Sequence, residues 1–370
     1  MNNFPPGRTY SPEQVVDDRI DMLSARVRLL YGDWILDLKK GKTFIGLNWN
    51  WPNLWWSGPK EFYDTYVFSW HGENWPNIWL KNFCESHPDS LVIVIGESPI
   101  PEKYYDLPNL KSLVYHSWGQ MIQDVLQFNH PEYVPMSKRQ HLLSSLVNKP
   151  SFFKALTTAQ LLSKYNHKDI IYSWNVNKRK EYCSSLNFLE SQHMPNSKLE
   201  NLSKFYHEQL KHQTCKLDDF NDTGFSNFYC DIPAYTDCLI NVTNETYDQT
   251  LVDDVILPSP YISEKTWKPL LSGCSLLSQG SRGVYDFLKK FGFQFEYPWD
   301  TSYDQTLGDI DRYMSFLTVL DSIFEMDRGF LMTTLEESAK FNYHYIRSEE
   351  FFSRVKKINN ESLENFMRYY

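Results

Sequence analysis

Hydrophobic positions along the chain fall into short, nearly continuous runs separated by stretches with helical spacing. The runs Tyr66–Trp70 (YVFSW), Leu91–Ile95 (LVIVI), Ser112–Tyr115 (SLVY), Ile170–Trp174 (IIYSW), Cys238–Val242 (CLINV) and Ser275–Ser278 (SLLS) predict strands. Residues 14–31 place apolar side chains on one helical stripe and predict an amphipathic helix. Met121–Phe128, Phe152–Tyr165, Asn201–Lys211 and Gly283–Phe291 predict further helices. Strands without polar alternation, alternating with helices, predict an α/β fold whose parallel sheets are covered on both faces. A polar stretch near residues 145–150 (SSLVNKP), punctuated by Pro150, predicts a boundary between domains 1–148 and 149–340. Residues 341–370 predict a C-terminal helical segment.

A chain of 370 residues is long enough for two or three domains. Its 37 Lys+Arg against 46 Asp+Glu give a net charge of −9, which excludes a surface that clings to nucleic acid throughout but leaves room for a local basic groove. Residues 1–150 carry 14 basic and 16 acidic side chains, so the acidity lies mainly in the second half. With 42% apolar and 22% charged residues, wholesale disorder is excluded. No apolar run approaches the ~18 residues of a membrane span, and MNNFPPGRTY carries no signal-peptide core. The expectation is a soluble cytoplasmic protein with no membrane partner. Cys84, Cys183, Cys215, Cys230, Cys238 and Cys274 show no CxxC spacing, so the reading is buried free thiols, with no structural metal.

The segment 261–293 (YISEKTWKPLLSGCSLLSQGSRGVYDFLKKFGF) carries the densest chemistry. Ser263 fits a helix N-cap, with Glu264 and Lys265 in the first turn and Gly273 as the C-cap. Pro269 requires that helix to be kinked or very short. The amino end of a helix offers N–H donors and partial positive charge to a phosphate; Lys265 adds a full charge, and Glu264 suits a ribose diol. The plain alternative is a capped core helix with a surface Glu–Lys pair.

Tyr261, Ile262, Ser263, Glu264, Lys265 and Gly273 resemble the nucleotide-sugar signature of the α-1,3-fucosyltransferases and of related sugar transferases in bacteriophage genomes. The resemblance implies that Glu264 holds the donor ribose, Lys265 its diphosphate, and that Tyr261 lies beside the donor. Upstream, CLINVTNET (Cys238–Thr246) resembles the strand and loop before that signature, which implies Asn244, Glu245 and Thr246 at the mouth of the donor pocket. Family members usually carry a phosphate-binding Arg on the helix that corresponds to NKPSFFKALTTAQ (148–160); the nearest basic residue here is Lys154, which lacks its bidentate fork. Arg282 in the GSRG turn is another candidate phosphate ligand. In the first domain, Gly96, Glu97, Ser98, Pro101 and Asp106 resemble the layout around the family's general base, which implies that Glu97 is that base.

Aromatics are abundant, with 12 Trp, 24 Tyr and 24 Phe, and seven Trp lie between residues 49 and 79. Core packing and an acceptor platform both explain such a cluster; on the second reading Trp49, Trp51, Trp70, His71 and Glu73 meet the acceptor, and His71 is a rival base. Related phage enzymes place sugars on 5-hydroxymethylcytosine, so double-stranded DNA is the first-ranked acceptor, with Lys39, Lys40, Lys42, Lys138 and Arg139 as candidate phosphate contacts. The resulting expectation is a GT-B-like protein of two Rossmann-like domains facing a cleft, with a C-terminal helix. Its activity would be metal-independent inverting transfer from a UDP- or GDP-linked sugar, with a pentose such as arabinose ranked first and no further cofactor. The alternatives are a fucosyltransferase-like enzyme acting on a glycan or protein, and a non-catalytic nucleotide-sugar or carbohydrate-binding protein.

Overall fold

The structure, a computed structural model, describes residues 43–47, 63–70, 78–96, 100, 106–128, 131–147, 151–174, 196–210, 232–245, 251–252, 255–256, 260 and 262–369. The chain divides into two compact units. The first comprises residues 1–123, 252–258 and 353–370, the second residues 124–251 and 259–352. The predicted helix over 14–31 lies outside the described residues.

The first unit is built on a parallel sheet of β1 (Thr43–Leu47), β2 (Thr65–Trp70), β3 (Leu91–Gly96) and β4 (Leu110–Val114), in that spatial order. Register pairs Tyr66 with Val92 and Phe68 with Val94. These four residues share one face, which packs with Leu80, Phe83 and Cys84 of α1 (Ile78–Ser86). The alternate positions Val67, Ile93 and Ile95 are also buried, so both faces are covered, as the unbroken apolar runs require. After β4 comes α2 (Trp118–Phe128). The last helix, α10 (Glu349–Tyr369), belongs to this unit from residue 353 on. Its Asn359 side chain accepts from the His116 N–H at 2.8 Å and donates to the His116 carbonyl at 3.1 Å, while Ser362 donates to the Val114 carbonyl at 2.6 Å. An amide side chain thus supplies the paired donor and acceptor that a neighbouring strand would otherwise give.

The second unit contains β5 (His141–Val147), α3 (Phe152–Lys164), β6 (Ile170–Trp174), α4 (Ser197–Phe205), α5 (Pro233–Thr236) and β7 (Cys238–Thr243). It continues through α6 (Glu264–Leu271), β10 (Ser275–Ser278), α7 (Val284–Lys290), α8 (Asp309–Glu325) and α9 (Arg328–Tyr345). Two short strands, β8 (Leu251–Val252) and β9 (Val255–Ile256), pair with each other. The main sheet is parallel, in the order β10-β7-β5-β6. The chain moves outward from β5 to β6, then returns to the other side of β5 for β7 and β10. The direction of winding therefore reverses between β5 and β7, and such a reversal opens a crevice at the carboxyl ends of the strands.

The division of the chain does not fall at the predicted 148/149 boundary. Residues 141–147, which it assigns to the first domain, form the strand at the middle of the second sheet. The polar pair that suggested a linker, Ser144 and Ser145, is buried, and their hydroxyls accept from the Asn241 and Asn244 side chains at 2.8 and 3.0 Å. The second predicted boundary, 340/341, falls inside α9.

Below the opposite, amino ends of β7 and β10, Arg139 is buried. Its Nε donates to the Val134 carbonyl (3.0 Å), Nη1 to Tyr235 and Cys238 (both 2.7 Å), and Nη2 to Ser272 and Gly273 (2.8 and 2.9 Å). All five donors of the guanidinium are engaged, so Arg139 has none to offer a DNA phosphate. Arg139 is thus an internal anchor and not the DNA contact its sequence suggests; Lys138 is exposed, and Lys39, Lys40 and Lys42 lie outside the described residues.

Candidate functional site

The amino end of α6 is tied to the carboxyl end of β7 by Glu245, which is 0% exposed. Its carboxylate accepts from the Ser263 N–H at 3.0 Å, the Ser263 hydroxyl at 2.5 Å and the Thr266 hydroxyl at 2.5 Å. Ser263 caps α6 as its sequence suggests, accepting from the Lys265 N–H at 3.2 Å. The Thr266 N–H donates to the Ser263 carbonyl at 3.0 Å. The backbone donors of Ser263, Lys265 and Thr266 are therefore engaged within the chain, and a carboxylate already meets the positive end of the helix. Glu245 is accordingly not at the mouth of a pocket: it is a buried brace beneath Glu264 and Lys265.

Those two side chains remain accessible, at 36% for Glu264 and 26% for Lys265, with Lys265 Nζ 3.4 Å from Glu264 Oε1 and 3.5 Å from Ser263 Oγ. Burial works to raise the Glu264 carboxyl, but the Lys265 and Lys268 ammonium groups and hydrogen bonds outweigh it and hold the group below its ordinary value. Glu264 is thus an ionised acceptor, the form that takes hydrogen bonds from hydroxyls. Pro269 lies inside α6, which has only 8 residues. The helix closes with Cys274 N–H on the Pro269 carbonyl (2.8 Å) and Gly273 N–H on the Leu270 carbonyl (3.1 Å). Gly273 sits at φ +65° with no room for a side chain, since a Cβ there would lie 2.6 Å from the Tyr133 ring.

At the β5/β7 crevice, the Asn244 Nδ2 reaches across the two strands, donating to Ser145 Oγ at 3.0 Å and to the Leu146 carbonyl at 3.4 Å. Helix α3 begins just beyond β5 and has no acidic residue in its first turn; Lys154, in that turn, is 3% exposed.

Beyond β10, the turn is held from several sides. Tyr285 Oη accepts from the Ser278 N–H at 3.1 Å, Tyr303 Oη donates to the Ser278 carbonyl at 2.7 Å, and Arg312 Nη1 donates to the Gly280 carbonyl. Arg312 is 5% exposed and lies 3.5 Å from Asp309. Asp304 is buried, accepts from the Tyr285 N–H at 3.1 Å, and is pushed up to about 6 by burial. Gln279, also buried in this turn, has no partner for either amide atom among the described residues. Arg282 is half-buried and forms no ion pair among the described residues. Arg312, Asp304 and Gln279 carry no motif in the sequence; their roles come from neighbours distant along the chain.

Of the remaining predicted site residues, Glu97, Tyr261, Thr246, Trp49, Trp51, His71 and Glu73 lie outside the described residues. Glu97 directly follows the last residue of β3. Trp70 ends β2, with its backbone paired to Gly96. Trp118, Trp174, Trp267 and Trp299 are all buried, so these four serve the core. Cys84, Cys238 and Cys274 are buried free thiols, and burial pushes Cys84 and Cys274 up to about 12, which keeps them unreactive. No described helix is long and apolar enough to cross a membrane. Among the described residues, no three or more His, Cys, Asp or Glu gather into a metal-binding group. Comparison with family models, with curated proteins and with solved structures yields no match.

Proposed function

We propose that the chain is an inverting, nucleotide-sugar-dependent glycosyltransferase whose second unit binds the donor along the carboxyl edge of the β10-β7-β5-β6 sheet. One observation carries this reading. The amino ends of α3 and α6, bearing Lys154 and the Glu264–Lys265 pair, stand at the same edge of one parallel sheet, flanking the point where its winding reverses. That is where α/β sheets bind nucleotides. In this reading the diphosphate takes its charge partners from the Lys265 and Lys154 side chains, because the amino-terminal donors of α6 are already engaged. Glu264 holds the ribose hydroxyls, and Arg282 closes over the phosphates from the turn after β10. A GT-B arrangement of two Rossmann-like domains belongs to the same proposal.

Glu97 is the proposed base. It takes the proton of the acceptor hydroxyl as that oxygen bonds to the anomeric carbon, while the bond from that carbon to the diphosphate oxygen breaks. Negative charge then grows on the leaving diphosphate, where Lys265 and Lys154 stabilise it. The acceptor ranked first is 5-hydroxymethylcytosine in phage double-stranded DNA, flipped from the stack, and the sugar ranked first is arabinose. Incubating hydroxymethylated DNA with the protein and UDP- or GDP-linked sugars, with mass spectrometry of the nucleosides, tests this. A pentose or hexose mass added by wild type and not by Glu97→Gln supports the reading. Donor binding with no transfer to DNA, glycan or water reduces it to a nucleotide-sugar-binding protein.

A further inference from the structure

Gln279 directly follows β10 and is 3% exposed, and neither its Oε1 nor its Nε2 has a hydrogen-bond partner among the described residues. A primary amide offers two N–H donors and two acceptor lone pairs, and native interiors rarely leave such a group unmet. Its neighbour on the next strand end repeats the feature: Asn244 is 3% exposed, its Nδ2 is tied to β5 and β7, and its Oδ1 has no partner among the described residues. The two residues are adjacent because the Gln279 N–H donates to the Thr243 carbonyl at 3.1 Å. The backbone beneath Gln279 is fixed by Tyr285, Tyr303 and Arg312, and a Cβ on Gly280 would approach Glu245 Cγ to 3.4 Å. The turn's backbone is tied down by hydrogen bonds while the amide it carries is unanswered among the described residues, the condition of a group preorganised for a ligand.

We propose that Gln279 reads the hydrogen-bonding edge of the donor's nucleobase, with the Asn244 carbonyl oxygen as a second contact. The inference rests on the donor site proposed above. With the diphosphate near Lys154 at β5/β7 and the ribose on Glu264, each strand step of about 4.8 Å carries the nucleotide toward β10, which brings the base to Gln279. Nucleobases present a donor and an acceptor side by side in one plane, and an amide side chain matches that pattern with two bonds. A sugar or phosphate does not need this planar pairing.

Calorimetric titration with pyrophosphate and with UDP, GDP, ADP and CDP tests the assignment in wild type and Gln279→Met. Wild type is expected to prefer one base. Gln279→Met is expected to bind that nucleotide at least about tenfold more weakly, to keep pyrophosphate affinity within about twofold, and to melt no lower than wild type, because an unmet buried amide has been removed. Equal affinity of wild type and Gln279→Met for the preferred nucleotide overturns the proposal; a structural water on Gln279 would give that result. Four equal nucleotide affinities in wild type overturn it while leaving the donor site standing. A wild type that binds neither pyrophosphate nor any nucleotide overturns the donor site and this inference together. Should Gln279→Met fail to fold, Gln279→Glu, an acceptor-only isostere, must change the order of the four affinities, and an unchanged order is equally decisive.

Discussion

Lys265 and Glu245 both contact the Ser263 hydroxyl, yet their substitution should have opposite signatures. Lys265 is partly exposed and its pair with Glu264 is of the weak surface kind. Lys265→Ala should leave stability within about 0.5 kcal/mol of wild type while raising the barrier to transfer by about 2–4 kcal/mol, as loss of one preorganised electrostatic donor does. Turnover and a denaturant melt check the two halves. Glu245→Ala leaves three donors without their acceptor, so the same melt should show a loss of about 3 kcal/mol or more. At this scale the sequence revealed the cap and not the brace. Ser263, Glu264 and Lys265 are contiguous and form a recognisable N-terminal signature, whereas Glu245 lies 18 positions from the residue it holds.

Strands β6 and β10 fall on the residues their apolar runs predict, and β2, β3, β4 and β7 within a few positions. Strand β5 was illegible because Ser144 and Ser145 interrupt its apolar run, and the asparagines that answer them lie 97 and 99 positions away. The helix predicted from residue 201 begins at Ser197 and winds into a π turn at Tyr206, a change of pitch that no local pattern marks. Elements also carry their own tests. Gly273→Ala combines a left-handed backbone with a ring 2.6 Å from the new methyl group. It should destabilise the protein by about 2–4 kcal/mol, read as a lowered midpoint of unfolding. Arg139→Lys cannot reproduce five donors in one plane. It should cost at least about 3 kcal/mol, although charge is unchanged, and that loss separates an anchor of β7 and β10 from a surface cation.

Across the whole molecule, one buried group in each unit should contribute to the acid response with opposite sign. His116, in the first unit, is held neutral by burial, its value lowered from 6.5 to about 4. The unfolded chain binds its proton first, so this contribution is complete above pH 6.5 and is lost as pH falls toward 4, by about 3 kcal/mol. Asp304, in the second unit, is raised by burial from 3.8 to about 6. Here the folded state holds the proton more tightly, so stability falls as pH rises from about 4 to 6, by a similar amount. Melting of wild type and of each single variant, followed between pH 4 and 6.5, separates these two contributions from those of carboxylates held low, such as Glu264 and Asp321. His116→Gln should flatten the first response, and Asp304→Asn the second. The α/β class of both units was legible in the sequence because parallel strands buried on both faces leave unbroken apolar runs. The place where the winding reverses was not, since it depends on which side of β5 the chain chooses for β7. Whether that reversal binds a diphosphate decides the proposed function most directly. Isothermal titration of nucleoside diphosphates into wild type, Lys265→Ala and Lys154→Met measures it: saturable binding in wild type, weakened at least about tenfold in each variant, is the predicted result, and either no binding in wild type or equal affinity in all three proteins contradicts it.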